Sequence, residues 1–103
     1  MKNNYTLKYS PEFLNDFNKI ITYIKYELKN IIAGDNLISK VEKEIKNRLK
    51  NQTGYQAYKT KAQNTYFRIY IDNFIIFYTI SELDKEMEIR RMIYGKRDLD
   101  KSI

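Results

Sequence analysis

Residues 66–80 read Tyr66-Phe67-Arg68-Ile69-Tyr70-Ile71-Asp72-Asn73-Phe74-Ile75-Ile76-Phe77-Tyr78-Thr79-Ile80. In the first half Phe67, Ile69 and Ile71 alternate with Tyr66, Arg68 and Tyr70, the two-residue period of a strand with one buried face. Asp72-Asn73 suits a tight turn, because both side chains hydrogen-bond to nearby backbone and both tolerate left-handed conformations. Phe74–Ile80 is β-branched and aromatic and mostly apolar on both faces, the pattern of a central strand. Downstream, Glu82–Lys85 turns the chain and Met87–Tyr94 supplies a further strand. The C-terminal half therefore predicts an antiparallel meander.

The N-terminal half changes period. Tyr5–Tyr9 alternates Tyr5, Leu7, Tyr9 against Thr6 and Lys8 and predicts a half-buried strand. Ser10-Pro11-Glu12 then starts a helix: Ser10 can cap, Pro11 suits the first helical position, and Glu12 complements the helix dipole. Phe13, Phe17, Ile20, Ile21, Ile24 and Leu28 follow at spacings of three and four, one apolar helix face. Leu28-Lys29-Asn30 predicts a short turn, with Asn30 capping a second helix whose stripe is Leu37, Val41, Ile45 and Leu49. Lys40, Lys43, Lys46 and Lys50 lie off that stripe and solvate the outer face, with Glu42 and Glu44 among them. Asn51–Thr65 has no clean period and includes Gly54, which predicts a loop long enough to be functional. The order is β-α-α-β-β-β. Strands gathered after helices predict an α+β fold, with a helical hairpin on one face of a four-stranded antiparallel sheet that includes Tyr5–Tyr9. Phe13, Phe17, Ile21, Ile24, Val41, Ile45, Ile69, Ile71, Ile76 and Tyr78 are the expected core.

Composition narrows the chemistry. The length of 103 residues allows one domain, residues 1–103. With no Cys there is no disulfide or thiolate chemistry, which fits a reducing cytoplasm. With no His the chain lacks the usual neutral-pH base and the commonest metal ligand. Catalysis would have to use Arg, Lys, Tyr or carboxylates, and neither a metal nor a cofactor is expected. No apolar run is long enough to span a membrane, and Met1–Ser10 lacks the apolar core of a signal peptide. A net charge of +6 favours a polyanionic partner.

Element order, length and four stretches together resemble the RelE/ParE superfamily of type II toxin–antitoxin toxins. The stretches are Tyr9-Ser10-Pro11-Glu12; Tyr23-Ile24 through Asn30; Tyr66 through Phe74 running into Ile76-Phe77-Tyr78; and Ile89-Arg90-Arg91-Met92-Ile93-Tyr94-Gly95-Lys96-Arg97-Asp98-Leu99. The last is similar to the superfamily's ending R-x-x-x-G-[KR]-R-D-L and is the most specific. The resemblance implies a cytoplasmic toxin, a cognate antitoxin with an acidic disordered segment, and one of two targets. RelE-like members cut messenger RNA on the ribosome; ParE-like members poison DNA gyrase. Fold alone does not choose between them.

RNA cleavage by the neighbouring 2′-hydroxyl needs a proton acceptor, cations around the phosphate and a donor to the leaving oxygen. The resemblance carries these roles onto Arg68 and Tyr70 in the second strand, Ile75 in the third and Arg97 after Gly95-Lys96. Arg68 and Arg97 keep their cations. Tyr70 stands in place of a lysine, and Ile75 stands where an arginine is usual and cannot hold a phosphate. Lys59, Lys61, Arg90, Arg91, Tyr94 and Lys96 are further candidates for contacting target or antitoxin. Ile75 and Phe77 share one strand face, expected to be an apolar patch covered by a partner: the antitoxin tail is expected to cover the helical-hairpin groove and the open sheet face near Arg68, Ile75 and Phe77. Arg90 and Arg91, adjacent in a strand, are expected on opposite faces. The same residues also have plain readings: Arg68 as a solvated strand residue, Tyr66, Tyr70 and Tyr94 as packing residues with wet hydroxyls, Lys96 and Arg97 as solubilising charge. Ile75 and the long helical hairpin favour the ParE-like target. A RelE-like nuclease and a degenerate toxin that only binds antitoxin remain as alternatives. A plain RNA-binding domain with stacking tyrosines is a third, without a glycine–aromatic motif to support it.

Overall fold

The computed structural model describes residues 5–50, 57–59 and 65–95. The elements are β1 (Thr6–Tyr9), α1 (Pro11–Thr22), a π-helical turn (Tyr23–Glu27), α2 (Ile31–Lys50), β2 (Ala57–Lys59), β3 (Thr65–Ile71), β4 (Phe74–Ser81) and β5 (Glu86–Tyr94). The strands form one sheet in the order β1-β5-β4-β3-β2. Among the described residues no helix is long and apolar enough to cross a membrane.

Local sequence sets both helix starts. Ser10 Oγ accepts the Phe13 N–H at 3.0 Å and donates to the Arg90 carbonyl at 2.8 Å, so one buried hydroxyl caps α1 and pins it to β5. Asn30 Oδ1 accepts the Ala33 N–H at 3.0 Å and caps α2. Between the helices the Leu28 N–H reaches back to the Tyr23 carbonyl and the Asn30 N–H to the Ile24 carbonyl, with Lys29 left-handed at φ 53°. Those bonds satisfy carbonyls that a helix end would leave without partners. The π-helical turn also directs Lys25 onto α2. Its Nζ pairs with Asp35 at 2.9 Å, and its stem lies so close to Gly34 that an added Cβ there would stand 2.5 Å from Lys25 Cγ.

Both helices pack on one face of the sheet. Phe13 of α1 and Leu37, Val41 and Ile45 of α2 meet Ile69, Ile71, Ile76, Tyr78, Met87, Ile89 and Met92 in the main core. Phe17, Ile21 and Ile24 are only half-buried at its margin, because α1 and the turn lie toward the rim of the sheet. Arg48 occupies a core-facing position of α2, three residues after Ile45. Its Nη1 donates to the Arg68 carbonyl at 2.7 Å and to the buried Tyr78 hydroxyl at 3.2 Å, tying the end of α2 to the middle of the sheet.

The sheet differs from the sequence reading in two linked respects. It is mixed, because β1 runs parallel to β5, with Thr6 opposite Glu86 and Tyr9 opposite Ile89. It also has a fifth strand, β2, antiparallel to β3, inside the stretch read as a loop. With one reversal per connection, β-α-α-β-β-β brings the last strand back antiparallel to the first. An extra strand adds one reversal and makes the two parallel, so both differences have a single cause. A strand of three residues carries too little alternation to be seen in sequence.

Candidate basic surface on the open sheet face

The face away from the helices is organised by cross-strand register. Arg68, Phe77 and Arg91 are partners across β3, β4 and β5; Tyr70, Ile75 and Ile93 form the next row. Arg68 and Tyr70 therefore do share this face. The Arg68 guanidinium lies 5.7 Å from the centre of the exposed Tyr70 ring. Tyr70, Ile75 and Tyr94, with the turn Asp72-Asn73, line a depression of about 240 Å³. Tyr94 is exposed and packs edge-on to Phe74, their centroids 5.4 Å apart. Gly95 closes this end of the sheet: its N–H bonds to the Asn73 carbonyl, and its φ of 81° is one that side-chain-bearing residues rarely adopt.

Ile75 and Phe77 are not a docking patch. Ile75 is 3% exposed and Phe77 0%, and with Tyr66 they form a second small core backed by Ile93. Tyr66 meets Phe77 edge-on at 6.2 Å. The chain itself covers the apolar surface that was expected to await a partner.

Arg90 and Arg91 also depart from expectation. Phe77 pairs with Arg91 and Tyr78 with Ile89, so Arg90 is the extra residue of a β-bulge. The bulge breaks the alternation that would have put the two arginines on opposite faces. Both line one depression of about 250 Å³ together with Glu12 and Tyr66. Arg90 lies 3.5 Å from Glu88. Arg91 is bound at two points by Asp16 of α1, through Nε at 2.6 Å and Nη2 at 3.2 Å. Those hydrogen bonds, more than the added charges of Asp16 and Glu12, push the Arg91 guanidinium further above its ordinary range. Asp16 also accepts the Met92 N–H at 3.0 Å, where β5 has run past the end of β1.

Lys59 lies in β2 opposite Thr65. Its side chain, and Lys61, Lys96 and Arg97, fall outside the described residues. Sequence reasoning missed Asp16, Arg48 and Glu12. The first two carried a signal: each is a charged residue at a spacing reserved for the apolar stripe, Asp16 between Phe13 and Ile20 and Arg48 three after Ile45. From sequence Glu12 reads only as an acid in the first turn of α1.

Among the described residues, a large apolar surface lies at the hairpin end of the molecule. Ile20, Tyr23, Ile24, Leu28, Phe74 and Tyr94 line a groove of about 660 Å³, with Lys19 at its edge. Tyr26, Ile31 and Ile32 are exposed on the same hairpin end.

Residues 7–99 match the family model described as the ParE toxin of the type II toxin–antitoxin system parDE. The chain belongs to the ParE toxin family. Among solved structures, it is similar to the isolated RelE toxin of E. coli, with a TM-score of 0.58 and 14% identity over 95% of this chain and 92% of that one. It also resembles the RelB–RelE antitoxin–toxin complex of Methanococcus jannaschii at a TM-score of 0.46 and 17% identity, covering 84% and 88% of the two chains. No curated protein matches the sequence of this ParE-family chain. At 14% identity the likeness to the isolated RelE toxin shows the α+β fold and nothing finer.

Proposed function

We propose that this ParE-family chain, a single domain over residues 1–103, arrests growth by binding DNA gyrase and is silenced by an antitoxin with an acidic segment that orders on binding. One observation carries the choice of target. The centre of the open face, where a ribosome-dependent nuclease of this fold would need a cation, is the buried Ile75. A 2′-hydroxyl attack without His depends on several cations converging on one phosphate, and loss of one such donor typically costs a hundredfold to a thousandfold, roughly. Here Arg68 and Arg91 are held apart by Phe77, and Arg91 is already engaged by Asp16. A toxin that acts by binding has no such requirement.

Of the two surfaces expected for the antitoxin, the burial of Ile75 and Phe77 favours the helical-hairpin groove. With Ile75 and Phe77 buried, the hairpin-end groove is an apolar surface that suits an amphipathic element, and Lys19 in its lining suits an acidic one. Leu28→Asp is expected to weaken antitoxin binding at least tenfold while leaving growth arrest intact.

The target is tested on one preparation with two assays: gyrase supercoiling and cleavage, and toe-printing of translating ribosomes. Gyrase-dependent DNA breaks with intact messages support this reading. Codon-specific cuts abolished by Arg97→Ala would replace it with the RelE-like one, in which Arg68, Tyr70 and Arg97 act on RNA. A chain that binds antitoxin but does neither is a degenerate toxin.

A further inference from the structure

Four lysines of the described chain are ion-paired: Lys8 with Glu86, Lys25 with Asp35, Lys40 with Asp72 and Lys85 with Glu82. Lys19, Lys29, Lys43, Lys46 and Lys50 are not, among the described residues, and the last three are exposed together on the outer face of α2. Their spacings of three and four put them on one side of the helix, over roughly 10 Å of its axis. With Ser39, Asn47 and Glu42 they line a shallow depression of about 400 Å³. Glu42 is the one acid there, and it stands at the i−4 position from Lys46, where a pair would be expected. No pair forms. The charge of Glu42 is instead felt by the Tyr9 hydroxyl.

From these observations we infer that the outer face of α2 is a contact surface for the phosphate backbone of duplex DNA, independent of the choice of toxin target. Three ammonium groups without counter-ions among the described residues, flanked by the neutral polar side chains of Ser39 and Asn47, are the donor set that backbone contacts use. Among the described residues the depression holds no aromatic ring, and so no stacking platform for single strands. It also lacks the apolar anchors an amphipathic acidic peptide would need, and the chain's apolar groove lies elsewhere, at the hairpin end. A helix of ordinary diameter, about 10–12 Å, matches the major groove of B-form DNA and not the deep, narrow one of duplex RNA.

The test is fluorescence anisotropy with the full chain and a random-sequence DNA duplex over a salt series. It compares wild type, the triple variant Lys43→Gln/Lys46→Gln/Lys50→Gln, and a control triple, Lys8→Gln/Lys29→Gln/Lys85→Gln, that removes equal charge elsewhere. Glutamine keeps helix propensity, and circular dichroism of each variant checks the fold. Each lost phosphate contact lowers the slope of log K against log salt by about 0.9, so the α2 triple should be shallower by about 2 to 3 and bind at least tenfold more weakly in low salt. The control should move little. Equal losses in both triples would mean net charge alone and would overturn the assignment. So would absence of duplex binding by wild type, or tighter binding to single-stranded DNA, duplex RNA or polyglutamate than to the DNA duplex.

Discussion

Asp16 serves two consecutive residues of β5 at once: its carboxylate binds the Arg91 guanidinium at two points and accepts the Met92 backbone N–H. An α1 side chain thus takes over where β1 stops, and it satisfies a donor on an otherwise open strand edge. Asp16→Ala should lower unfolding free energy by about 2–3 kcal/mol, since it leaves a charged group and a backbone donor without their acceptor. Asp16→Asn keeps an acceptor for Met92 and should cost about half as much by the same reasoning. Urea unfolding of the two variants checks the order, and equal losses would show that the backbone contact contributes nothing.

Phe77 behaves as core although it sits on the face without helices. Phe77→Ala should cost about 3–5 kcal/mol, the range for emptying a buried aromatic site, and a domain of this size has little stability to spare. Thermal melting followed by near-ultraviolet circular dichroism reads the loss directly. A variant as stable as wild type would restore the idea that this residue awaits a partner.

The contact between Lys25 and Gly34 predicts a coupling with a definite sign. Alanine is favoured over glycine inside a helix by about 1 kcal/mol. In wild type that gain is opposed, because the new Cβ would displace the Lys25 stem and with it the pair to Asp35. Gly34→Ala should therefore be neutral or destabilising alone and stabilising in a Lys25→Ala background. A double-mutant cycle measures the coupling, expected at about 1–2 kcal/mol for residues in contact.

Two tyrosines set an alkaline limit. Burial, and secondarily the charge of Glu42, raise the Tyr9 hydroxyl above its ordinary value of 10.0; the hydrogen bond to Glu82 raises Tyr5. A raised value in the folded state means that the folded chain holds the proton more tightly. The contribution is complete below the unfolded value and is lost as pH climbs through the folded one. Stability should be flat with respect to these groups at neutral pH and fall above about pH 10. Tyr5→Phe/Tyr9→Phe should flatten that fall, which unfolding midpoints across alkaline buffers would record.

The amount of fold legible in sequence followed the strength of each local pattern. Ser10 and Asn30 announced both caps because the capping chemistry is local. The β3–β4 hairpin was legible because alternation, turn residues and β-branched content agreed over fifteen positions, residues 66–80. What escaped was non-local. The direction of β1 depends on how many reversals intervene, and the unnoticed β2 changed that number. The bulge at Arg90 comes from pairing with β4, and no feature of Arg90-Arg91 itself reveals it. At the site, residue identity marked Arg68 and Tyr70 as neighbours on one face. Burial decided the rest: an apolar pair such as Ile75 and Phe77 looks the same whether a partner or the chain covers it.

The parallel pairing of β1 with β5 also orders events in time. β1 is made well before β5 and must wait for it to gain a hydrogen-bonded neighbour, since among the described strands only β5 adjoins it. Ser10, the cap of α1, likewise completes its bonds only when Arg90 has been made. Closure over such a sequence separation is slow and comes late in folding. Until Tyr94 is synthesised the helical hairpin has only part of its sheet, and neither row of the basic face is assembled. Translation itself therefore provides an interval in which the nascent chain carries the toxin's sequence without its surface.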